Sequence, residues 1–503
     1  HTLYGPNQVN FYYKQRSDST RSYFKGEKFY QKLLLEKVEI LYNNSVIKTY
    51  QLTYNYLTNN YYGLSALKEV TEYGLGGSSL NSTAFSYQQP GNAVIGAANW
   101  HDHDFITSDS RLFTGDFNGD GFEDIAAVRG LNTRLYFNNK NGGFYWAQEL
   151  NFPSNEDCFI ADLIVTDLNG DNNDDLITVV KSGPYYSYYW QVSNGSILTY
   201  YQSFALDYLD YNHIYDPKFE HRISDFDGDG FNDFLIMNPS NNSWEMFSFT
   251  ESTINSDLRG NHRTGTISSW GDKVYIADFN GDGKSDVWVF SNSGLKIYTL
   301  DGNYFTQIGD EVTSITSQNN FNQGDFNGDG KTDLFVYDDA IWKMYLSTGT
   351  GFDFRYIDVK LFNLKNNVVY ARDFNGDGRT DLLALGKDSY NNPWQHYLMA
   401  NLNGNDFSNE IHYDVNLNKD YSYILGDFNG NGKADVLATN TTTGYYLANT
   451  TGNTEMLLKY IGNGLGQETR VDYGKLTDGS VYTKNGGSNF PVFEYQGPVN
   501  VVT

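Results

Sequence analysis

The residues best placed to do chemistry are carboxylates and amides set at every second position in short stretches of this chain. They follow one nine-residue pattern, Asp-apolar-(Asn/Asp)-Gly-(Asp/Asn)-x-x-x-Asp, which runs straight into an apolar segment. Copies begin at Asp116, Asp167, Asp225, Asp278, Asp325, Asp373 and Asp427. A hard divalent cation needs oxygen ligands on a backbone that curls around it: side chains at positions one, three and five, a carbonyl at seven, and a carboxylate further on. Here they are offered at one, three, five, seven and nine.

The expected ligands are Asp116, Asn118, Asp120, Phe122 and Asp124 in the first copy, and Asp167, Asn169, Asp171, Asn173 and Asp175 in the second. The third offers Asp225, Asp227, Asp229, Phe231 and Asp233, and the fourth Asp278, Asn280, Asp282, Lys284 and Asp286. The fifth has Asp325, Asn327, Asp329, Lys331 and Asp333, and the sixth Asp373, Asn375, Asp377, Arg379 and Asp381. The last has Asp427, Asn429, Asn431, Lys433 and Asp435. Phe122, Asn173, Phe231, Lys284, Lys331, Arg379 and Lys433, at position seven, contribute only a backbone carbonyl.

Glycine is constant at position four and stands at position six in all but the second copy, where Asn172 replaces it. Both places call for turn conformations that glycine adopts freely and asparagine tolerates. A single such stretch has a competing reading as a mere Asn-Gly or Asp-Gly turn; seven in phase point to a cation. Positions one, three, five and nine carry 21 carboxylates in all, clusters of like charge that favour occupancy. Ligand number and loop flexibility select calcium over magnesium, up to seven ions, one per loop. The Asp225 copy, with four carboxylates, is expected to bind most tightly, and the Asp427 copy, with two, most weakly.

The loops recur at intervals of 51, 58, 53, 47, 48 and 54 residues. A unit of about fifty residues holding several short strands is the mark of a β-propeller, whose blades bury their faces against their neighbours. One motif per blade implies seven blades. In the first, Arg111 to Phe117, Ile125 to Val128, Arg134 to Phe137 and Phe144 to Leu150 read as the four strands. In the last, Tyr423 to Phe428, Val436 to Thr439, Tyr445 to Ala448 and Met456 to Tyr460 do so. Position two (Phe117, Leu168, Phe226, Phe279, Phe326, Phe374, Phe428) and position ten (Ile125, Leu176, Phe234, Val287, Leu334, Leu382, Val436) are apolar plugs. Trp190, Trp244, Trp342 and Trp394 fall on comparable third strands, where packing between blades outweighs a carbohydrate platform.

The composition agrees with an all-β chain: 42 Tyr and 33 Phe against 9 Pro in 503 residues. A formal charge of −26 excludes nucleic acid and anionic membrane as partners, since both require a basic face. Seven calcium ions would bring it to −12. Cys158 is the one cysteine, so no internal disulfide forms, and a buried inert thiol is its expected state. No apolar run reaches the ~20 residues that span a bilayer, and the segment from His1 resembles no export signal.

These residues resemble the FG-GAP or VCBS repeats of integrin α-subunit heads and of bacterial surface and secreted proteins. The resemblance covers about Trp100 to Tyr460 and implies integrin-α-like calcium loops. The tail (Gly462-Asn463-Gly464-Leu465-Gly466, Thr469, Val471, Tyr473, Leu476-Thr477-Asp478, Val481-Tyr482-Thr483, Pro491, Gln496, Val501-Val502) looks like the segment after the propeller in the B component of Tc insecticidal toxins and in SpvB-type virulence proteins. Ahead of the propeller, Lys32 to Tyr42, Ile47 to Tyr54 and Leu64 to Tyr73 read as strands, and Leu80 to Tyr87 resembles that family's entry into the ring. In that family the flanks continue into a hollow YD/Rhs-repeat shell, and the propeller docks on a translocation partner.

The organisation expected is a β-rich segment at 1–92, a seven-bladed propeller at 93–460, and the start of a downstream β-rich shell region at 461–503, the whole an internal part of a longer secreted or surface-exposed bacterial polypeptide. Partners implied are the rest of that shell and a translocation or secretion component, with glycan as a further possibility. No Gly-x-Ser-x-Gly elbow, P-loop, His-Glu-x-x-His helix or dinucleotide fingerprint occurs. His101-Asp102-His103-Asp104 is the one dense constellation; a polar strand entering the first blade outweighs a transition-metal site there. The sequence therefore reads as a non-enzymatic scaffold, docking or gating module of a toxin or virulence protein. A cell-surface adhesin binding host protein or glycan is the alternative, and a calcium-dependent polysaccharide lyase a distant third. Fold alone cannot choose among these.

Overall fold

The computed structural model describes residues 7–24, 27–58, 63–89, 91, 93–152, 158–182, 185–205, 220–248, 262–338, 341–357, 368–386, 395–399, 402–403, 406–407, 410–413, 421–441, 443–452, 455–484 and 495–503. Every regular element among them is a β-strand. After each nine-residue loop the chain enters a strand buried along most of its length, such as Asp124–Arg129, Asp233–Asn238 and Asp286–Phe290. These runs are continuously apolar instead of alternating, because both faces of the sheet are covered by neighbouring sheets.

Six four-stranded antiparallel sheets are each built from one continuous stretch of chain. The first comprises Arg111–Gly115, Asp124–Arg129, Asn132–Asn138 and Phe144–Leu150. The next five run from Cys158–Thr166 to Leu198–Ala205, Glu220–Ser224 to His262–Thr266, Lys273–Ala277 to Tyr304–Val312, Asn320–Gly324 to Phe352–Tyr356, and Val368–Arg372 to Glu410–Tyr413. The all-β propeller class is therefore present, with six self-contained blades where the repeat count implied seven.

The strands that follow the last loop complete a four-stranded sheet differently. Ser422–Gly426, Asp435–Thr441 and Gly444–Ala448 take their fourth strand from Asn99–Asp102, ahead of the first loop, with Tyr445 opposite His101 and Tyr446 opposite Trp100. Met456 to Tyr460, expected as that fourth strand, is not in this sheet. The strand there is Leu458–Gly462, which pairs with Thr83–Tyr87 in a separate seven-stranded sheet with the four long strands from Asn7–Phe24 to Gly63–Tyr73. Chain entry and exit are stitched side by side, and Val94–Ile95 also pairs with Thr450–Thr451. The polar strand at His101-Asp102 is the outer edge of the last sheet, not the entrance to the first.

Hydrophobic clusters lie between successive sheets, and each contains one position-two plug: Phe117, Leu168, Phe226, Phe279, Phe326, Phe374 or Phe428. The cluster with Phe428 joins Leu437, Tyr445 and Leu447 to Ile125, Ala127 and Tyr136, packing the last loop's sheet against the first. Trp190, Trp244 and Trp342 are buried in these clusters; Trp394 lies outside the described residues. Cys158 is half-buried at the start of its strand, less enclosed than expected.

Tyr445→Ala opens a cavity in the seam between the last sheet and the first. It is expected to cost about 3–5 kcal/mol in urea unfolding, whereas Tyr304→Ala, at a side chain 68% exposed, should stay within about 0.5 kcal/mol.

Candidate metal centre: a ring of carboxylate loops

Each loop is folded around its first aspartate. Asp116 Oδ1 accepts the Asp120 N–H at 2.9 Å and Oδ2 the Gly121 N–H at 2.7 Å. Asp278 takes the N–H groups of Gly281 and Gly283 at 2.6 and 2.9 Å, and Asp373 those of Gly376 and Gly378 at 2.6 and 2.8 Å. The position-six residue bends with positive φ, 82° at Gly121, and Asn172 takes the same bend at 67°, at the place where glycine is replaced. Position five repeats the device: Asp120, Asp229, Asp282 and Asp377 each receive the N–H of position seven at 2.9–3.0 Å.

Position nine points the other way, into the blade. Asp124, Asp175, Asp233, Asp286, Asp333, Asp381 and Asp435 are all fully buried. Asp124 Oδ2 accepts the Phe117 N–H at 3.1 Å and Oδ1 the Asn138 N–H at 2.7 Å, so one carboxylate ties the loop to the plug residue and to the third strand. Asp175 does the same with Leu168 and Ser193, and Asp333 with Phe326 and Ser347. This anchoring was not foreseen from sequence, where position nine reads simply as a ligand.

The loops are also linked to one another. The position-eight N–H of one loop donates to the position-one carbonyl of the loop before it: Asp174 to Asp116, Ser285 to Asp225, Thr332 to Asp278, Thr380 to Asp325 and Ala434 to Asp373, at 2.8–2.9 Å. Asn232 makes the link to Asp167 with its side chain, at 3.1 Å. Glu123 N–H to Asp427 O at 3.0 Å joins the last loop to the first. The position-seven side chain lies over the position-four glycine of the preceding loop. A Cβ on Gly170 would stand 2.9 Å from Phe231, one on Gly328 2.7 Å from Arg379, and one on Gly430 2.7 Å from Phe122.

Negative charge is thereby concentrated where water is scarce. Burial, reinforced by neighbouring carboxylates and opposed by backbone N–H donors, pushes Asp116, Asp233 and Asp286 up to about 7 and Asp333 and Asp435 up to about 8. Asp278 and Asp373 rise to about 6, and Asp124 and Asp175 lie well above the usual carboxylate range for the same reasons. Glu123, at position eight, is pushed to about 7 by burial and by Asp174 and Asp116. It lines an open cavity of about 610 Å³ with Asp116, Asp167, Asp174, Asp373 and Asp427, and Tyr495 to Pro498 form part of the same wall.

The donor set fits a hard cation. Asp225, Asp227 and Asp229 bring three carboxylate oxygens within 4.8 Å of one another, the one such cluster among the described residues. Asn327 Oδ1 is buried with no hydrogen-bond partner, an orphaned oxygen at a ligand position. Cationic side chains also reach these loops: Arg263 donates to Asp227 Oδ2 at 2.9 Å, and Lys140 lies 3.2 Å from Asp120. The His101–Asp104 constellation does not gather ligands. His101 stacks on Tyr445 at 5.0 Å, and His103 Nδ1 accepts the Phe105 and Ile106 N–H groups at 3.1 and 2.8 Å.

Carboxylates whose folded pKa is raised make the cation-free fold progressively less stable as pH climbs from about 4, the unfolded value, toward the folded values near 6–8. A cation must displace those protons, so calcium affinity measured calorimetrically should rise between pH 6 and 8, about tenfold per pH unit for each proton released. A flat profile would contradict this reading of the loops.

The FG-GAP-like repeat family matches residues 116–178, 225–289, 278–336, 325–384 and 373–438, together more than half of the chain. No curated protein matches the sequence. Among solved structures, a chain of the Photorhabdus luminescens Tc holotoxin pore aligns at TM-score 0.53 and 16% identity, over 91% of this chain and 20% of its own. A TcdB2-TccC3 crystal structure aligns at 0.49 and 14%, over 94% and 22%. An Agrocybe aegerita lectin specific for non-reducing terminal N-acetylglucosamine aligns at 0.45 and 15%, over 67% and 86%. The chain spans about a fifth of the length of the Tc chains it resembles. At 16% identity the likeness to the Tc holotoxin pore chain is one of fold; the repeats matched over more than half of its length show that the chain belongs to the FG-GAP-like repeat family.

Proposed function

We propose that this chain is a calcium-bound, non-enzymatic β-propeller that serves as a scaffold or docking module of a larger secreted, toxin-like protein. Positions one, three and five of the six loops from Asp116 to Asp373, with the position-seven carbonyl, would hold the ion, and position nine would hold the loop in place. A bound calcium supplies fixed positive charge at the point where the buried carboxylates converge. Asp116 and its equivalents orient the loop backbone through their N–H contacts, and the position-eight links transmit that geometry to the next blade.

The observation that carries this reading is the burial of the position-nine carboxylates with the loops closed around Asp116 and its equivalents. Such an arrangement is costly as a set of bare anions and well suited to a structural ion. Likeness of fold to Tc toxin chains over nearly the whole length supports the toxin-associated role, and no helix among the described residues is long and apolar enough to cross a membrane. Partners on this reading are other parts of the same polypeptide and a translocation or secretion component. A surface adhesin is the second reading, favoured by Tyr145 and Trp146, exposed at 52% and 60% on the outer strand of the first blade.

The mass and peptide map of the native polypeptide test the choice. A chain several times the 57.1 kDa of this segment, with YD repeats after it, is expected. A native chain that ends in a surface anchor soon after Thr503 and binds glycans or cells would move the assignment to an adhesin.

A further inference from the structure

The last loop differs from the rest in what points into it. At position five the other loops place an aspartate, one oxygen of which takes the position-seven N–H while the second keeps its negative charge facing the loop, where Asn169 and Asn280 donate to it in the second and fourth loops at 3.0 Å. In the Asp427 loop that residue is Asn431: Oδ1 accepts the Lys433 N–H at 2.9 Å, so Nδ2 is turned the other way and donates to Thr450 O at 2.7 Å. The amide orientation is set by both partners, since only the oxygen can accept from Lys433 and only the nitrogen can donate to Thr450. Asn429 Nδ2 donates to Asp435 Oδ1 at 3.0 Å and to Thr450 O at 3.1 Å. Asn375 Nδ2 likewise donates to Asp381 Oδ1 at 3.2 Å, so it is the second amide donor, at position five, that sets this loop apart. The Oδ1 of Asn429 has no partner, but with Asn431 turned away the ligand positions offer one carboxylate, Asp427, beside neutral oxygens, too little charge for a divalent ion next to Lys475.

The same loop is contacted from outside by the segment that follows the ring. Thr477, almost fully buried, donates its hydroxyl to Gly430 O at 2.9 Å, and Lys475 Nζ donates to Asn431 O at 2.9 Å. Lys475 and Lys433 share Glu455, at 3.4 and 3.6 Å. Pro498 lies over Gly432, and the Gln496 carbonyl over Gly121 of the first loop. A second anchor reaches the second loop, where Lys484 Nζ contacts Asp171 O at 3.2 Å and Asn173 Oδ1 at 3.0 Å. Leu476 N–H to Val499 O at 3.0 Å holds the two arms of the docked segment together.

From these contacts we propose that the Asp427 loop is not a cation site but a cation-independent seat for the chain's own segment around Lys475–Thr477 and Gln496–Pro498. This rests on the calcium reading of the other six loops and sets their stoichiometry. The loop that joins the last sheet to the first is closed by amides, a threonine and a lysine, so chelation loosens the other loops and leaves this clasp shut.

Two measurements test it on the whole chain. Calcium per chain after equilibrium dialysis should be six, rising to seven in Asn431→Asp; seven in the unaltered chain, or no gain in the variant, overturns the proposal. No calcium in either would instead end the calcium reading, and the seat is then decided by hydrogen exchange in EDTA. There the Leu476 amide should stay protected, and Lys475→Met with Thr477→Val should speed its exchange about tenfold or more. Exchange in EDTA that is already as fast as in the double variant overturns the seat.

Discussion

Burying a carboxylate costs several kcal/mol if it stays ionised and uncompensated, and this fold buries a carboxyl group at the ninth position of every loop. The rest of the ring is arranged around that constraint. Backbone N–H groups of the plug residue and the third strand supply part of the compensation, which is why Asp124, Asp175 and Asp333 fix the loop to two elements at once, whereas Asp233 and Asp286 are held by the plug N–H alone, with Oδ1 unpartnered. The remainder comes from a bound proton, which is why these groups titrate high, or from positive charge that displaces it. The structure offers side-chain cations at some loops, such as Arg263 beside Asp227, and elsewhere a curl of oxygens that suits a calcium ion.

Compensation in one loop matters to its neighbours, because the loops are not independent. The N–H of position eight and the side chain of position seven both lean on the preceding loop. A loop that loses its geometry withdraws a hydrogen bond and a packing surface from the next blade. The seam between the last sheet and the first carries the same links, through Glu123 and Phe122, and adds a strand taken from before the ring. Closure by a strand from the opposite end of the repeat array makes ring integrity depend on contacts more than 300 residues apart in sequence, which is expensive in loop entropy and protects the edges of the terminal sheet.

The periodic part of this architecture was legible in the sequence. The spacing of the loops, the plugs at Phe117 and its equivalents, the strand that follows each loop and the bend at Asn172 all follow from local residue types. Three features were not. Asn99–Asp102 reads as a polar strand, but nothing local says that its partner is Gly444–Ala448; Met456 to Tyr460 continues the repeat spacing and was placed in the ring for that reason. The links between loops run through backbone N–H groups that every residue but proline possesses, so they leave no compositional trace; only Asn232, which substitutes a side chain, differs. The seat for the tail depends on the pairing of Thr477 and Lys475 with loop carbonyls, and one asparagine at position five was its sole local sign.

Thermal unfolding of the calcium-loaded chain against the same chain in EDTA near pH 7.5 probes the central claim most directly, since an ion bound only by the folded ring raises its stability by linkage. The account predicts a melting temperature lower by many degrees in EDTA, restored by calcium and only weakly by magnesium. Superimposable melting curves would mean that the buried carboxylates are compensated within the protein itself, and that the loops are turns and not ion sites.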